Sequence, residues 1–124
     1  MRTRDLKPGF FRDKDLAKLP FVVRYCYAGL WCVSDRKGRL EDNIKTIDAE
    51  VFPWDKVPVE KYLQALAAGG FIQRYEVDGA RYIWIPKFRD HQKPHPNEAD
   101  SVLPPSPLEE CYEGKKPLIP PGDP

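Results

Sequence analysis

Apolar residues recur at helical spacing in three segments of the chain, which predicts three main helices. The first segment, residues 20–34, begins with Pro20, a residue suited to the first turn of a helix. Five apolar side chains follow at helical spacing and share one face: Val23, Cys26, Tyr27, Leu30 and Trp31. Apolar residues also occupy the opposite side, so we expect a core helix, with a homodimer contact as the alternative.

Two further helices are predicted over residues 43–52 and 58–68. Asp42 or Asn43 can cap the first of them, and Pro58 suits the first turn of the second. In each segment the apolar residues fall on one stripe. Each helix is therefore expected to have a core face and a polar outer face.

The segment before the first main helix carries weaker signals. A Pro-Gly dipeptide within residues 2–11 breaks helices, so this segment is predicted to be an extended arm. Phe10 and Phe11 would pack from this arm onto the body. Asp13 would then cap a short helical turn.

Two runs rich in β-forming residues, 71–77 and 80–88, are joined by Asp78-Gly79. An Asp-Gly pair favours a type I′ hairpin turn, whose two central residues need positive φ. Counting outward from the turn places alternate side chains on opposite faces. The core face then carries Ile72, Ile83 and Ile85, and the other face carries Tyr75, Tyr82 and Trp84.

The order of these elements is that of a winged helix-turn-helix, an α+β fold. A helix, a short strand near Leu40, two helices and a hairpin follow one another, and the hairpin would be the wing. We expect this domain to span residues 1–93. Residues 94–124 are predicted to be an extended or disordered Pro-rich acidic tail with P-x-x-P spacer motifs. Removal of residues 104–124 is expected to leave the fold intact.

The formal net charge of +1 hides an uneven distribution. Residues 1–93 hold 18 Lys/Arg and 13 Asp/Glu, a net of +5, whereas residues 94–124 hold 2 and 6, a net of −4. The same boundary divides the 14 prolines, of which 9 lie in the tail. A basic body indicates an anionic partner, and the acidic tail would compete with that partner for the basic face.

DNA, bound mainly through its phosphates, is the partner that this fold and charge predict. The second helix of the helix-turn-helix would enter a major groove while the hairpin contacts the backbone. The candidate DNA-binding residues are Lys45, Lys56, Lys61, Gln64, Arg74, Arg81 and Lys87. Glu60 is expected to repel phosphate. Ordinary solvent exposure is the alternative for Lys61 and Gln64, and a Glu76–Arg81 cross-strand pair is the alternative for the hairpin.

A series of motifs, in order and with similar spacing over residues 2–103, resembles the N-terminal domain of phage replication proteins, the replisome organisers or DnaD-like proteins. The motifs are Lys7-Pro8-Gly9-Phe10-Phe11, Tyr27-Ala28-Gly29-Leu30-Trp31-Cys32, Asp35-Arg36-Lys37-Gly38-Arg39-Leu40-Glu41, Ala67-Ala68-Gly69-Gly70-Phe71-Ile72, Arg74-Tyr75-Glu76-Val77-Asp78-Gly79, Tyr82-Ile83-Trp84-Ile85-Pro86 and His91-Gln92-Lys93-Pro94-His95-Pro96. Such a serial match is more specific than any one motif.

This resemblance implies a winged-helix domain of phage or prophage origin that acts in replication initiation and helicase loading. The implied protein partners are a helicase or its loader. After Lys93 the chain departs from the family, since only the short tail follows. A stand-alone DNA-binding or accessory module is therefore also expected. A transcriptional regulator and a protein–protein interaction module are the alternatives.

No enzymatic activity, cofactor or metal site is expected from the residue patterns. The serines lie in no Gly-x-Ser-x-Gly turn, and no spacing pairs carboxylates for acid–base chemistry. His91 and His95 have a spacing that a metal could use, but the prolines beside them oppose a helix, so a strap that adds positive potential is favoured. Three cysteines, an odd number, argue against a disulfide framework.

Apolar stretches in the chain fall far short of about 18 residues, which predicts no membrane span. The N-terminal residues show no apolar region typical of a secretory signal. We therefore expect a cytoplasmic protein, and the resemblance to phage proteins implies a bacterial host cell.

The aromatic face of the hairpin offers a second route to nucleic acid. Tyr75, Tyr82 and Trp84 could stack on the bases of single-stranded DNA. Packing of these rings against the tail, the N-terminal phenylalanines or a second subunit is the favoured interpretation, because aromatic patches usually mark packing.

Overall fold

Five α-helices, one 3₁₀ turn and a three-stranded antiparallel sheet make up residues 1–109, the part of the chain that the computed structural model describes. In chain order the elements are α1 Pro8–Arg12, the 3₁₀ turn Leu16–Lys18, α2 Phe21–Val33, β1 Arg39–Glu41, α3 Ile44–Val51, α4 Val59–Ala68, β2 Gln73–Val77, β3 Ala80–Trp84 and α5 Phe88–His91. The mixed α+β class is confirmed. Within residues 1–109, no helix has the length and apolar character that crossing a membrane requires.

The N-terminal segment corrects the prediction of a wholly extended arm. Pro8 begins α1, because a proline in the first turn lacks only an N–H that has no helical partner there. The Phe10 ring contacts the Trp31 ring edge-on with centroids 5.3 Å apart, whereas Phe11 is exposed. The Asp13 carboxylate accepts the backbone N–H groups of Asp15 and Leu16 at 2.9 and 3.0 Å, although the residue at the N-cap position of the 3₁₀ turn is Asp15.

Helix α2 is the centre of the core and packs against both α3 and α4. Its predicted core face is buried throughout: Val23, Cys26, Tyr27, Leu30 and Trp31. Gly29 allows the close approach of α3, since a Cβ there would lie 2.5 Å from Cγ1 of Val51. Asn43 is the cap of α3, accepting the N–H of Thr46 at 3.2 Å.

The sheet has the strand order β1-β3-β2, with the predicted hairpin register of Tyr75 opposite Tyr82. Asp78 and Gly79 have φ values of 51° and 83°, both positive as a type I′ turn requires. The three isoleucines predicted on the core face are all buried: Ile72, Ile83 and Ile85. The sheet therefore covers the helices with that face.

The segment after Lys93 lies on the body as far as Glu109. Residues 94–108 form no helix or strand, and Ser106 and Glu109 are buried. The Tyr75 hydroxyl donates to the Pro104 carbonyl at 2.7 Å, and Arg39 pairs with Glu109 at 2.7 Å. These contacts make residues 104–109 part of the folded unit, so we no longer expect their removal to be neutral. Cys111 and the second P-x-x-P motif lie outside the described residues.

Candidate nucleic-acid interface

The helix pair α3 and α4 places four of the candidate residues at the surface. Lys45 is on α3, Lys56 is in the loop that follows it, and Lys61 and Gln64 are on the outer face of α4. All four side chains are exposed. The Gln64 amide donates to the Glu60 carboxylate at 3.0 Å, one turn back on α4. These residues therefore lie on consecutive elements, and the three lysines leave their ammonium groups in solvent.

Arg74, another candidate, is instead held between two carboxylates. Its Nε and Nη2 donate to Asp42 at 2.8 and 3.0 Å, and its Nη1 and Nη2 donate to Glu60 at 2.7 Å each. Only 1% of the Asp42 side chain is exposed. We call this group the Arg74 clamp. It joins β2 to the loop before α3 and to the first turn of α4.

The Arg74 clamp changes the electrostatics expected for this surface. The guanidinium of Arg74 lowers the pKa of the Glu60 carboxyl to about 2, and the two carboxylates raise the pKa of Arg74. Four of the five N–H donors of Arg74 are used, so we no longer expect it to bind phosphate. In turn, Arg74 offsets part of the Glu60 charge, which reduces the repulsion expected on the α4 face, although Asp42 shares the same guanidinium and the three groups together keep one negative charge.

Arg81 and Lys87, the remaining candidate residues, lie in different parts of the hairpin region. Arg81 lies opposite Glu76 in the register, but its guanidinium points to Asp42 at 3.7 Å and 62% of the side chain is exposed. It therefore keeps donors for a ligand close to the Arg74 clamp. Lys87 is exposed beyond the end of β3 that lies away from the hairpin turn. The structure does not bring Lys87 together with Arg81.

The aromatic face of the sheet is covered, which corrects the idea that it stacks on bases. Tyr75 and Trp84 are buried, and only Tyr82 is partly exposed. The tail lies over this face, where the Tyr75 hydroxyl reaches Pro104 and the Ser106 hydroxyl contacts the amide of Gln73. Packing against the tail, the favoured interpretation, is confirmed for Tyr75.

Acidic residues of the tail neutralise arginines of the body. Glu98 accepts two hydrogen bonds from Arg4 at 2.8 and 2.9 Å and pairs with Arg2 at 3.0 Å, and these arginines lower the pKa of its carboxyl. Glu109 makes the same two-pronged contact with Arg39. Residues so distant in the chain share no periodic pattern that could predict these contacts. The opposite net charges of the tail and the body were the only signal for them in the sequence.

The two histidines have unlike surroundings. His91 stacks on Trp31 with ring centroids 4.8 Å apart, and burial lowers its pKa. His91 therefore contributes less positive charge to the segment around His91 and His95 than the sequence analysis predicts. His95 is exposed and accepts the backbone N–H of Asn97. Among residues 1–109, no three His, Cys, Asp or Glu side chains are grouped as a metal site.

The candidate interface thus comprises the outer face of α4, Lys45 on α3, Lys56 in the loop between these helices, and Arg81 on β3. No family model, curated protein or solved structure matches the chain.

Proposed function

We propose that this chain is a DNA-binding winged-helix protein of phage or prophage origin that acts in the initiation of DNA replication. The observation that carries the proposal is the solvent-facing surface of α4, with Lys61 and Gln64 outward and Glu60 partly offset by Arg74. A helix pair followed by an antiparallel hairpin supports it, since winged-helix proteins present the second helix to a major groove in this order.

The Arg74 clamp gives this surface a fixed shape. Because Arg74 of β2 is bonded to Glu60 of α4, the recognition helix and the hairpin are held together before DNA arrives. Arg81 then extends the basic surface onto the hairpin, and Lys45 and Lys56 extend it along the helix pair. Lys45, Lys56, Lys61 and Arg81 are exposed cations suited to phosphate contacts, and Gln64 is the side chain suited to a base edge.

The replication role is supported by the series of motifs that resembles the DnaD-like domain. A helicase or its loader is the protein partner that the same resemblance proposes. Arm, core helix and hairpin all contribute motifs to the series.

Fluorescence anisotropy with a labelled DNA duplex tests the proposal. Replacing Lys61 with glutamine should weaken binding by about fivefold, because a phosphate contact in solvent is worth about 1 kcal/mol. Lys14→Gln removes the same charge from an exposed loop position and is the matched control. Equal effects of the two variants, or no binding by the unaltered chain at about 50 mM salt, would refute the assignment of α4.

An exposed aromatic group favours protein binding as a second candidate function. Phe21 and Tyr25 are 82% and 59% exposed and line an apolar groove of about 370 Å³. Such a patch is typical of protein contact surfaces. If a second copy binds there, sedimentation should show concentration-dependent self-association that Phe21→Ser abolishes. A monomer at all concentrations would exclude that dimer.

A further inference from the structure

A basic cleft of about 760 Å³ lies at the end of the sheet away from the hairpin turn. It is formed by the N-terminal arm, the turn before β1, α5 and the strap that follows α5. Five cationic residues line it: Lys7, Arg36, Lys37, Arg89 and Lys93. None of them belongs to the α4 surface, so the basic cleft is a separate feature of the molecule.

A tight turn presents two of these cations. The Asp35 carboxylate accepts the backbone N–H groups of Lys37 and Arg39 at 2.9 and 3.0 Å, which folds residues 35–39 back on themselves. Gly38 has a φ of 79°, and a Cβ there would lie 2.7 Å from Cβ of Phe88. The turn therefore packs directly on α5, which brings its cations beside Arg89.

The buried amide of Gln92 joins the arm to the same place. Its oxygen accepts the backbone N–H of Asp5 and its nitrogen donates to the Asp5 carbonyl, both at 2.7 Å. This pair of bonds anchors the arm at the end of α5, where the Lys7 ammonium lies 3.4 Å from the Asp90 carbonyl. Specific hydrogen bonds of Asp35 and Gln92 thus bring these cations together.

The balance of charge in the basic cleft is positive. Two carboxylates, Glu98 and Asp100, also line it. Glu98 is already paired with Arg2 and Arg4, which are not among the lining residues. Like charges gathered in a concave surface repel one another, and the concavity focuses their field on an anion that enters.

The lining also indicates how a ligand would be recognised. No aromatic side chain is among the described residues that line the basic cleft, so a base would find no ring to stack on. Arg36 uses one Nη1 donor on the Glu98 carbonyl at 2.9 Å, which orients its guanidinium. A guanidinium with lysine ammonium groups around it is the donor set that proteins use for phosphate.

We propose that the basic cleft binds neighbouring phosphate groups of a polyanion, supplied either by a nucleic-acid backbone or by a free oligophosphate. The site goes beyond the proposed function, since it uses none of the residues of the α4 surface. It would give the protein a second anion contact at the opposite end of the sheet from the hairpin turn.

Calorimetric titration of the full chain with inorganic tripolyphosphate tests the site directly. Within residues 1–109 no side-chain hydrogen bond or ion pair is found for Lys37 or Lys93, so Lys37→Gln with Lys93→Gln should fold normally. This double variant should weaken binding about tenfold. The matched control, Lys14→Gln with Lys18→Gln, removes two exposed lysines outside the cleft and should stay within about twofold.

A single-stranded oligothymidylate identifies the source of the phosphate. A tenfold loss with both ligands supports the site and assigns it to a nucleic-acid backbone. A loss with tripolyphosphate alone supports it as a site for a free oligophosphate. No saturable binding of either ligand by the unaltered chain, or equal losses in the cleft and control variants, overturns the proposal. Lys61→Gln affects duplex binding independently, so failure of one proposal is distinguishable from failure of the other.

Discussion

Replacing Arg74 with alanine removes the guanidinium that pairs with Asp42 and Glu60. Asp42 is the costly partner, because its side chain is 1% exposed and Arg81 approaches it only at 3.7 Å. Breaking a buried ion pair costs about 3–5 kcal/mol in general. Arg74 is 18% exposed, so water reaches Asp42 when it is removed, and we expect a loss of about 2–3 kcal/mol in the free energy of unfolding.

Urea denaturation followed by circular dichroism measures this loss in the free energy of unfolding. In a separate thermal scan, the melting temperature should fall by roughly 10 °C. Arg81→Ala, in the partner strand, is the matched control and should change the free energy of unfolding by less than about 0.5 kcal/mol. Adding Asp42→Asn to Arg74→Ala should restore part of the loss, because it removes the unpaired buried charge. Full stability of Arg74→Ala, or no recovery in the double variant, would refute the reasoning.

Three further predictions concern other parts of the molecule. Because the pKa of Glu60 is lowered to about 2 in the folded chain, the stabilising effect of its ionised carboxylate should be lost as pH falls from about 4.5 to about 2. The free energy of unfolding of Glu60→Gln should therefore depend less steeply on pH in this range than that of the unaltered chain, and identical slopes would contradict this. A chain lacking residues 104–124 should be about 2 kcal/mol less stable in urea than one lacking residues 110–124, since Arg39 loses its carboxylate partner; equal stability would show that the contact contributes nothing. Gly29→Ala should cost about 1–3 kcal/mol, because the added methyl meets Val51 at 2.5 Å, and an unchanged melting temperature would mean that α3 shifts freely.

The elements that depend on local pattern could be predicted from the sequence. The Asp78-Gly79 turn fixes the hairpin register because positive φ at both positions leaves one favoured pairing. The buried face of α2 follows from helical spacing alone. Pro8 and Gly9 predict a break in the helix, but Pro8 lies in the first turn of α1, where a proline costs no helical hydrogen bond, so the pattern does not reveal this helix.

The contacts between distant residues could not be predicted. Glu60 is a polar position off the apolar stripe of α4, and Arg74 lies opposite Ile83 in the hairpin, but nothing in the spacing of the two residues shows that they pair with each other. Glu109 lies 70 residues from its partner Arg39, so the pairing depends on how the whole chain folds. The structure leaves Lys45, Lys56 and Lys61 exposed, as the sequence pattern indicates, and bonds Arg74 to two carboxylates, which it does not. Binding of DNA by the candidate residues stays a prediction.

The salt dependence of duplex DNA binding tests the proposed function most directly. Lys45, Lys56, Lys61 and Arg81 are the four cations assigned to phosphates, and each phosphate contact contributes roughly 0.9 to the log–log slope of affinity against salt. We predict a slope of about −3.6, so that doubling the salt concentration weakens binding about tenfold. A slope near zero, or no binding at about 50 mM salt, would contradict DNA binding through this surface.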